Sequence, residues 1–252
     1  MKQYEAVIAT LERIGGIATL ARLNQEVFKI EDCKWNTKTP FASIRRIVQD
    51  RPEIFKVRPG LWALESQRKR LESEGVIANS AANNGSSEET FSHGYYQGLL
   101  IEIGRMLNKY TYVPPQDANR MCLHEKLGNM TSIKSIPNFS YSQLTHKSQS
   151  VDVIWFQDCH PNDGILMPHT FFEVEHTTDI QNSLLKFQEL RWFSARMLIV
   201  ADEKRHREYE TKLRYSAFNE LRKNNRVSFM SYEDVVRQYN VLANNPNLSL
   251  II

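Results

Sequence analysis

Thr170-Phe-Phe-Glu-Val-Glu-His-Thr-Thr-Asp179 decides how the larger part of this chain folds, taken with Ser150-Val-Asp-Val-Ile-Trp-Phe156 upstream of it. Both stretches are dense in β-branched and aromatic residues, as buried strands are, yet each carries acid where a strand core is normally apolar. An ionised carboxylate buried without a partner costs several kcal/mol, so carboxylates on such strands usually serve a cation. Strand side chains alternate, which puts Glu173 and Glu175 on one face and Phe172 and Val174 on the other. If the two strands pair, Asp152 joins them. Three converging carboxylates make an oxygen-rich, hard-cation site suited to Mg²⁺. An isolated Glu-x-Glu on a strand is more often a solvated face or an ion pair; Asp152 on the preceding apolar strand shifts the reading toward a site.

Working outward, Thr178-Asp179 caps a helix running to about Phe193, and Arg196 to Ala201 is a further buried strand. Asp202 to Phe218 is helical, Arg226 to Met230 a last strand and Tyr232 to Tyr239 a last helix. Upstream, Tyr95 to Leu107 is a strong helix carrying Glu102, followed by a loop-like region rich in Pro, Asn and Ser up to Ser148. The order α-β-β-α-β-α-β-α describes a mixed sheet flanked by helices. Trp155, Phe171 and Phe172 belong to its core. Cys159 and His160, in Gln157-Asp-Cys-His-Pro-Asn-Asp-Gly164, fit a turn better than a metal site.

The stretch Val76 to Glu89, with its Asn, Ser, Ala and Gly, has little to bury and marks a linker. The expected organisation is a domain over 1–75, a linker over 76–90 and a second domain over 91–252. In the first, Tyr4, Val7, Ile8, Leu11 and Ile14 form one helical stripe stopped by Gly15-Gly16, and Thr19 caps Leu20 to Phe28. Thr39 as N-cap and Pro40 at N1 open a third helix through Gln49, burying Phe41, Ile44 and Val48 and leaving Arg45, Arg46 and Gln49 outside. Ile54 to Val57, a turn at Arg58-Pro-Gly60, and Leu61 to Leu64 complete a two-stranded wing. Three helices and a wing describe a winged helix.

The net charge is +3 over 252 residues, but 11 Lys and Arg stand against 7 Asp and Glu in residues 1–64, so that first quarter holds all the positive excess. A small anion-binding module needs such a bias, although many soluble domains carry one by chance. No apolar run nears the ~20 residues of a membrane span and the N-terminus lacks a secretory h-region, so the expected location is the cytoplasm. Three widely spaced cysteines, Cys33, Cys122 and Cys159, argue against a disulfide framework and against zinc.

Two resemblances add to this reading. The Tyr4-to-Ile14 helix, the Thr39-Pro40-Phe41 helix start and Phe55-Lys-Val-Arg-Pro-Gly-Leu-Trp-Ala-Leu64 resemble the HARE-HTH winged-helix domain, over about a quarter of the chain. That resemblance implies DNA contact, with the third helix in the major groove and the wing on backbone. Lys38, Ser43, Arg45, Arg46 and Gln49 are then the candidate contacts, with Arg58 at the wing tip; the alternative is a helix that only packs against its neighbour. The resemblance also brings base modification into view, since these domains have been proposed to sense it. Residues 91–235 are similar to the PD-(D/E)XK nuclease core: Asp152 matches the first acid, Glu173 the second, and Glu102 the accessory acid of some members. Glu175 occupies the usual lysine position, as in a few active restriction enzymes, and Lys186 is the candidate for a displaced positive charge.

The resemblance implies an α+β winged helix followed by an α/β mixed-sheet PD-(D/E)XK domain, together a site-specific, metal-dependent DNA endonuclease of restriction type. Mg²⁺, with Mn²⁺ able to substitute, would be held by Asp152, Glu173, the Val174 carbonyl and Glu102, and Asp152, Glu173, Glu175 and Lys186 would carry the chemistry. The partner is double-stranded DNA, cut by a homodimer or in two sequential nicks; no nucleotide cofactor and no membrane are expected. The rival is a DNA-binding scaffold that has lost catalysis, kept open by glutamate at position 175.

Overall fold

The computed structural model describes residues 1–77, 85–159, 164–223 and 225–245; residues 78–84 of the expected linker and His160 of the expected turn lie outside these. The chain divides into two compact units, Met1–Glu88 with the described residues of 236–245, and Glu89–Val235. Its class is α+β with a five-stranded mixed sheet.

In the first unit, helix α1 (Gln3–Arg13) leads to strand β1 (Ile17–Thr19) and helix α2 (Leu20–Glu26), whose first turn is capped where the Arg22 amide donates to Thr19 Oγ1 at 3.2 Å. Helix α3 (Pro40–Asp50), strand β2 (Ile54–Arg58), strand β3 (Leu61–Leu64) and short helix α4 (Arg68–Ser73) follow. The strands form an antiparallel sheet in the order β1-β3-β2. Val7 and Leu11 of α1, Leu23 of α2, and Ile44 and Val48 of α3 are fully buried in one cluster. Gly60 turns the chain between β2 and β3 at φ +72°, a conformation that glycine takes without strain.

Two expectations for α3 need correction. Thr39 makes no capping hydrogen bond with its side chain, and the carbonyl of Thr39 accepts the Ser43 amide instead. Phe41 is 43% exposed rather than buried, because it packs edge-on against Phe28 at 5.9 Å on the outer side of the helix. The three-residue strand β1 also went unread as a strand; such a run has too few positions to show alternation.

The second unit begins on helix α5 (Gly85–Met106), followed by strand β4 (Tyr110–Tyr112), the small hairpin β5 (Met121–Cys122) and β6 (Glu125–Lys126), and helices α6 (Leu127–Met130) and α7 (Ser142–Ser148). These elements fill the stretch expected to be loop. Strands β7 (Val153–Asp158) and β8 (Leu166–Glu175), helix α8 (Ile180–Glu189), strand β9 (Arg196–Ala201), helices α9 (His206–Leu213) and α10 (Asn219–Lys223), strand β10 (Val227–Ser231) and helix α11 (Tyr232–Asn244) complete the chain. The sheet order is β10-β9-β8-β7-β4, with β8, β9 and β10 parallel and β7 and β4 antiparallel to their neighbours.

The mixed sheet buries both faces, which explains its near-continuous apolar strands. On one face Ile154, Phe156, Phe171, Met197 and Ile199 pack with Ile180, Leu184 and Phe187 of α8. On the other, Trp155 reaches α5, donating from Nε1 to the Leu100 carbonyl at 3.0 Å, and tilts against Phe172 at 4.6 Å. Gly104 of α5 is required here, since a Cβ would meet Trp155 Nε1 at 2.6 Å. Helix α11 starts in this unit, but its residues from Val236 onward belong with the first, where Asn24 Nδ2 donates to Asn244 Oδ1 at 3.2 Å. The division therefore differs from the expected 91–252. No helix among the described residues is long and apolar enough to cross a membrane.

Candidate functional site

Strand β7 begins at Val153, paired with Phe172 of β8, so β8 runs past the start of its neighbour. The Val174 amide points toward that gap, and Asp152 Oδ2 fills the missing ladder position by accepting it at 2.8 Å. In extended backbone the N–H and C=O of one residue point to the same side, so the Val174 carbonyl also faces Asp152. The termination of one strand thus brings a carboxylate and a free backbone edge together.

Glu173 and Glu175 share the α8 face of β8, as strand alternation requires: Ser183 Oγ on α8 donates to Glu173 Oε2 at 3.1 Å and also to Glu175 Oε1. Thr178 Oγ1 donates to the other Glu175 oxygen. Lys186, one turn beyond Ser183, places its ammonium 2.7 Å from Glu173 Oε2 and 3.1 Å from the Ser150 carbonyl. Glu173 is 1% exposed and Glu175 4%. Glu173 Oε1 is buried with no hydrogen-bond partner. Burial, with Asp152 next and Glu175 adding, pushes the Glu173 carboxyl well above its ordinary range, against the opposing pull of Lys186. Burial would lower Lys186, but Glu173, with Asp152 and Glu175 adding, outweighs it, and the ammonium is held above its ordinary range. The two shifts agree in meaning: excess negative charge has collected in a dry place with one lysine to balance it.

The structure therefore sets Asp152 against the Val174 backbone and gathers Glu173, Glu175 and Lys186 beside Ser183. The three acids do not all bring an oxygen within 4.8 Å of one another, as the expected convergence would require. Glu102 does not join them. It pairs with Arg105 at 3.0 Å, and at nine residues past His93 it sits about half a turn out of phase with the face of α5 that meets Asp152. That face presents two residues the sequence reading missed. His93 Nε2 lies 3.5 Å from Asp152 Oδ2, and Gln97 Nε2 donates to the Asp152 carbonyl at 3.0 Å and to Asp117 Oδ2 at 2.8 Å. Asp117, after β4, is 3% exposed and takes Arg120 at 3.0 Å. Only the i, i+4 spacing of His93 and Gln97 on an apolar helix hinted at them. Nothing in sequence ties Asp117 to Asp152.

In the first unit, Arg45, Arg46 and Gln49 are exposed along one side of α3, with Lys38 exposed just ahead of it and Ser43 half-buried. Arg46 pairs with Asp50 at 3.2 Å. Arg58 departs from the expected wing tip: its side chain is 9% exposed, and its guanidinium donates to the Val76 and Glu88 carbonyls at 3.0 and 3.2 Å.

Residues 75–250 match the family of the type II restriction enzyme NmeDI C-terminal domain. The chain belongs to this family. The NmeDI C-terminal family match covers the whole second unit, carboxylates included, and makes this a restriction-enzyme-like protein. No curated protein and no solved structure gives a significant match.

Proposed function

We propose that the protein is a metal-dependent endonuclease that hydrolyses double-stranded DNA at defined sites, as a type II restriction enzyme does. The observation that carries this is Glu173: fully buried, with one oxygen unpartnered, beside Asp152 and next to Val174, whose amide Asp152 accepts, in an NmeDI C-terminal domain. Such a donor set fits a hard divalent cation, all oxygen and short of positive charge. Mg²⁺, or Mn²⁺ in its place, would be held by Asp152, Glu173 and the Val174 carbonyl, where it would ease deprotonation of water and neutralise charge growing on a phosphate.

The chain's own residues do the rest of the work in this reading, and their arrangement supports a PD-(D/E)XK assignment. Lys186 orients Glu173 and, being 37% exposed, also faces the cleft of about 330 Å³ that it lines with Lys147, Ser150 and Asn182. A phosphate entering there meets two ammonium groups, of which Lys147 stands 4.0 Å from Glu189 of the same lining. Glu175, fixed by Ser183 and Thr178, would take a proton from the attacking water through a lone pair those hydroxyls leave open. The helices α1 to α3 with the β1-β3-β2 sheet support a winged-helix reading of the first unit, with Lys38, Ser43, Arg45, Arg46 and Gln49 toward DNA and Arg58 withdrawn. Sensitivity to base modification remains part of the proposal.

The inactive-scaffold reading draws on one observation: hydroxyls already satisfy both Glu175 oxygens, and Lys186 partly balances Glu173. Asp152→Ala separates the two. A nuclease loses cleavage by at least roughly 10²–10³-fold, the scale of losing one preorganised electrostatic contact, while gel-shift binding persists. Absence of cleavage by the unaltered protein, with binding intact, makes it a scaffold.

A further inference from the structure

We propose that His93, Asp117 and Asp152 hold a second divalent cation, one that takes imidazole nitrogen as well as carboxylate oxygen, a transition-metal dication of the Mn²⁺ kind. The inference rests on reading Asp152 as a ligand of the first cation, and makes it the carboxylate shared between the two.

The three residues come from separate elements. His93 and Gln97 lie one turn apart on α5 and face the same way. Asp117 is held in a turn by Asp117 N to Pro114 O at 2.9 Å and Arg120 N to Asp117 O at 2.8 Å. Asp152 stands one residue before β7. A ligand atom from each lies within 4.8 Å of the others, the one such grouping of His, Cys, Asp and Glu among the described residues. Three ligands at about 2.0–2.2 Å from a common ion lie at most roughly 3.8 Å from one another, so closing onto a cation takes movements of up to about an ångström.

Two buried polar atoms need explaining. His93 Nε2 is shielded from solvent and has no hydrogen-bond partner, although a carboxylate lies 3.5 Å away. Gln97 is fully buried between the two acids, its amide nitrogen serving both, and its Oε1 has no donor. Leaving such groups unmet costs about 1–3 kcal/mol apiece. A cation resolves both: it takes the imidazole lone pair, and water bound to it donates to Gln97 Oε1. Arg120 contacts Asp117 Oδ1 at 3.0 Å and Gln97 contacts Oδ2, but each carboxylate oxygen has a second acceptor direction open to an ion. The ligand set also fixes the preference. Mg²⁺ favours all-oxygen coordination and keeps its waters, whereas imidazole suits the first-row transition metals.

The test is pulsed electron paramagnetic resonance on the full-length protein loaded with Mn²⁺, reading the ¹⁴N coupling of a bound imidazole, with Mn²⁺ affinities by titration. The unaltered protein is expected to bind two Mn²⁺ and show one imidazole coupling. His93→Ala and His93→Gln lose the coupling and weaken the second Mn²⁺ by about tenfold or more. His93→Gln guards against simple misfolding, since it keeps a polar chain of similar reach. Absence of nitrogen coupling, or coupling unchanged in both variants, overturns the site. Cleavage without nitrogen coupling refutes this inference alone; nitrogen coupling without any cleavage refutes the nuclease reading alone.

Discussion

At Glu173 two demands compete: a strand core that excludes water, and a carboxylate that wants it. Lys186 and Ser183 answer only one of its oxygens. The sign of the resulting pH dependence follows from its carboxyl being held above its ordinary value of 4.5, chiefly by burial and then by Asp152. The stability Glu173 contributes is therefore full below that ordinary value and is lost as pH rises through the raised folded value. In EDTA the melting temperature should fall as pH rises above the ordinary carboxyl value of 4.5, Glu173→Gln should flatten that slope, and Mg²⁺ should remove it. A slope identical in Glu173→Gln would place the titrating group elsewhere. The thiols offer a check of burial. Burial, with Glu102 and Glu125 nearby, pushes Cys122 up to about 12, and Cys33 is also buried, while Cys159 is exposed. One thiol of three should react with a disulfide reagent at neutral pH in the folded protein, and three after unfolding. At this scale Asp152, Glu173, Glu175 and Lys186 were legible as candidates, because acids in apolar strands and a lysine on the next helix stand out locally. His93 and Asp117 were not, because their meaning lies in contacts across the fold. Arg58 was misjudged for the same reason: a turn arginine reads as exposed until Glu88 and Val76 enclose it.

Among the elements, β8 carries the two glutamates, α8 meets them on one face, and α5 meets Asp152 on the other. Period-2 alternation made β8 legible with both glutamates on one face, and the Asp179 cap, which accepts the Gln181 amide at 2.9 Å, marked the start of α8. β4 and β1 escaped because three residues cannot display a period, and α7 lay in a polar stretch with no apolar stripe to betray it. Helix α3 was legible in its buried Ile44 and Val48, while Phe41 fell on its outer side. If α3 meets DNA, as proposed, its exposed arginines act mainly on phosphates. Arg45→Ala with Arg46→Ala should then reduce the slope of log affinity against log salt by about 2, at nearly 0.9 per lost phosphate contact. A slope unchanged by the double substitution removes α3 from the interface. The Arg46–Asp50 pair offers little resistance to such a role, since exposed ion pairs contribute only about 0–1 kcal/mol.

For the whole molecule, the mixed character of the sheet followed from periodicity, while its strand order, with β4 at one edge, did not. Nor did the division at α11, whose second half belongs with the first unit; a helix is continuous in sequence whichever core each end joins. The excess positive charge of residues 1–64 and the excess carboxylate around Asp152 divide the labour the proposal requires, one unit attracting a polyanion and the other holding cations against it. Its central claim is that the NmeDI-like unit cuts DNA through the Asp152–Glu173 site. The most direct measurement is incubation of the purified protein with methylated and unmethylated plasmid and phage DNA, in Mg²⁺ or in EDTA, resolved on a gel. Discrete fragments in Mg²⁺ and none in EDTA are the expected result, with the substrate cut reporting whether base modification directs it. Intact DNA in every lane, while a gel shift still shows binding, would contradict the account.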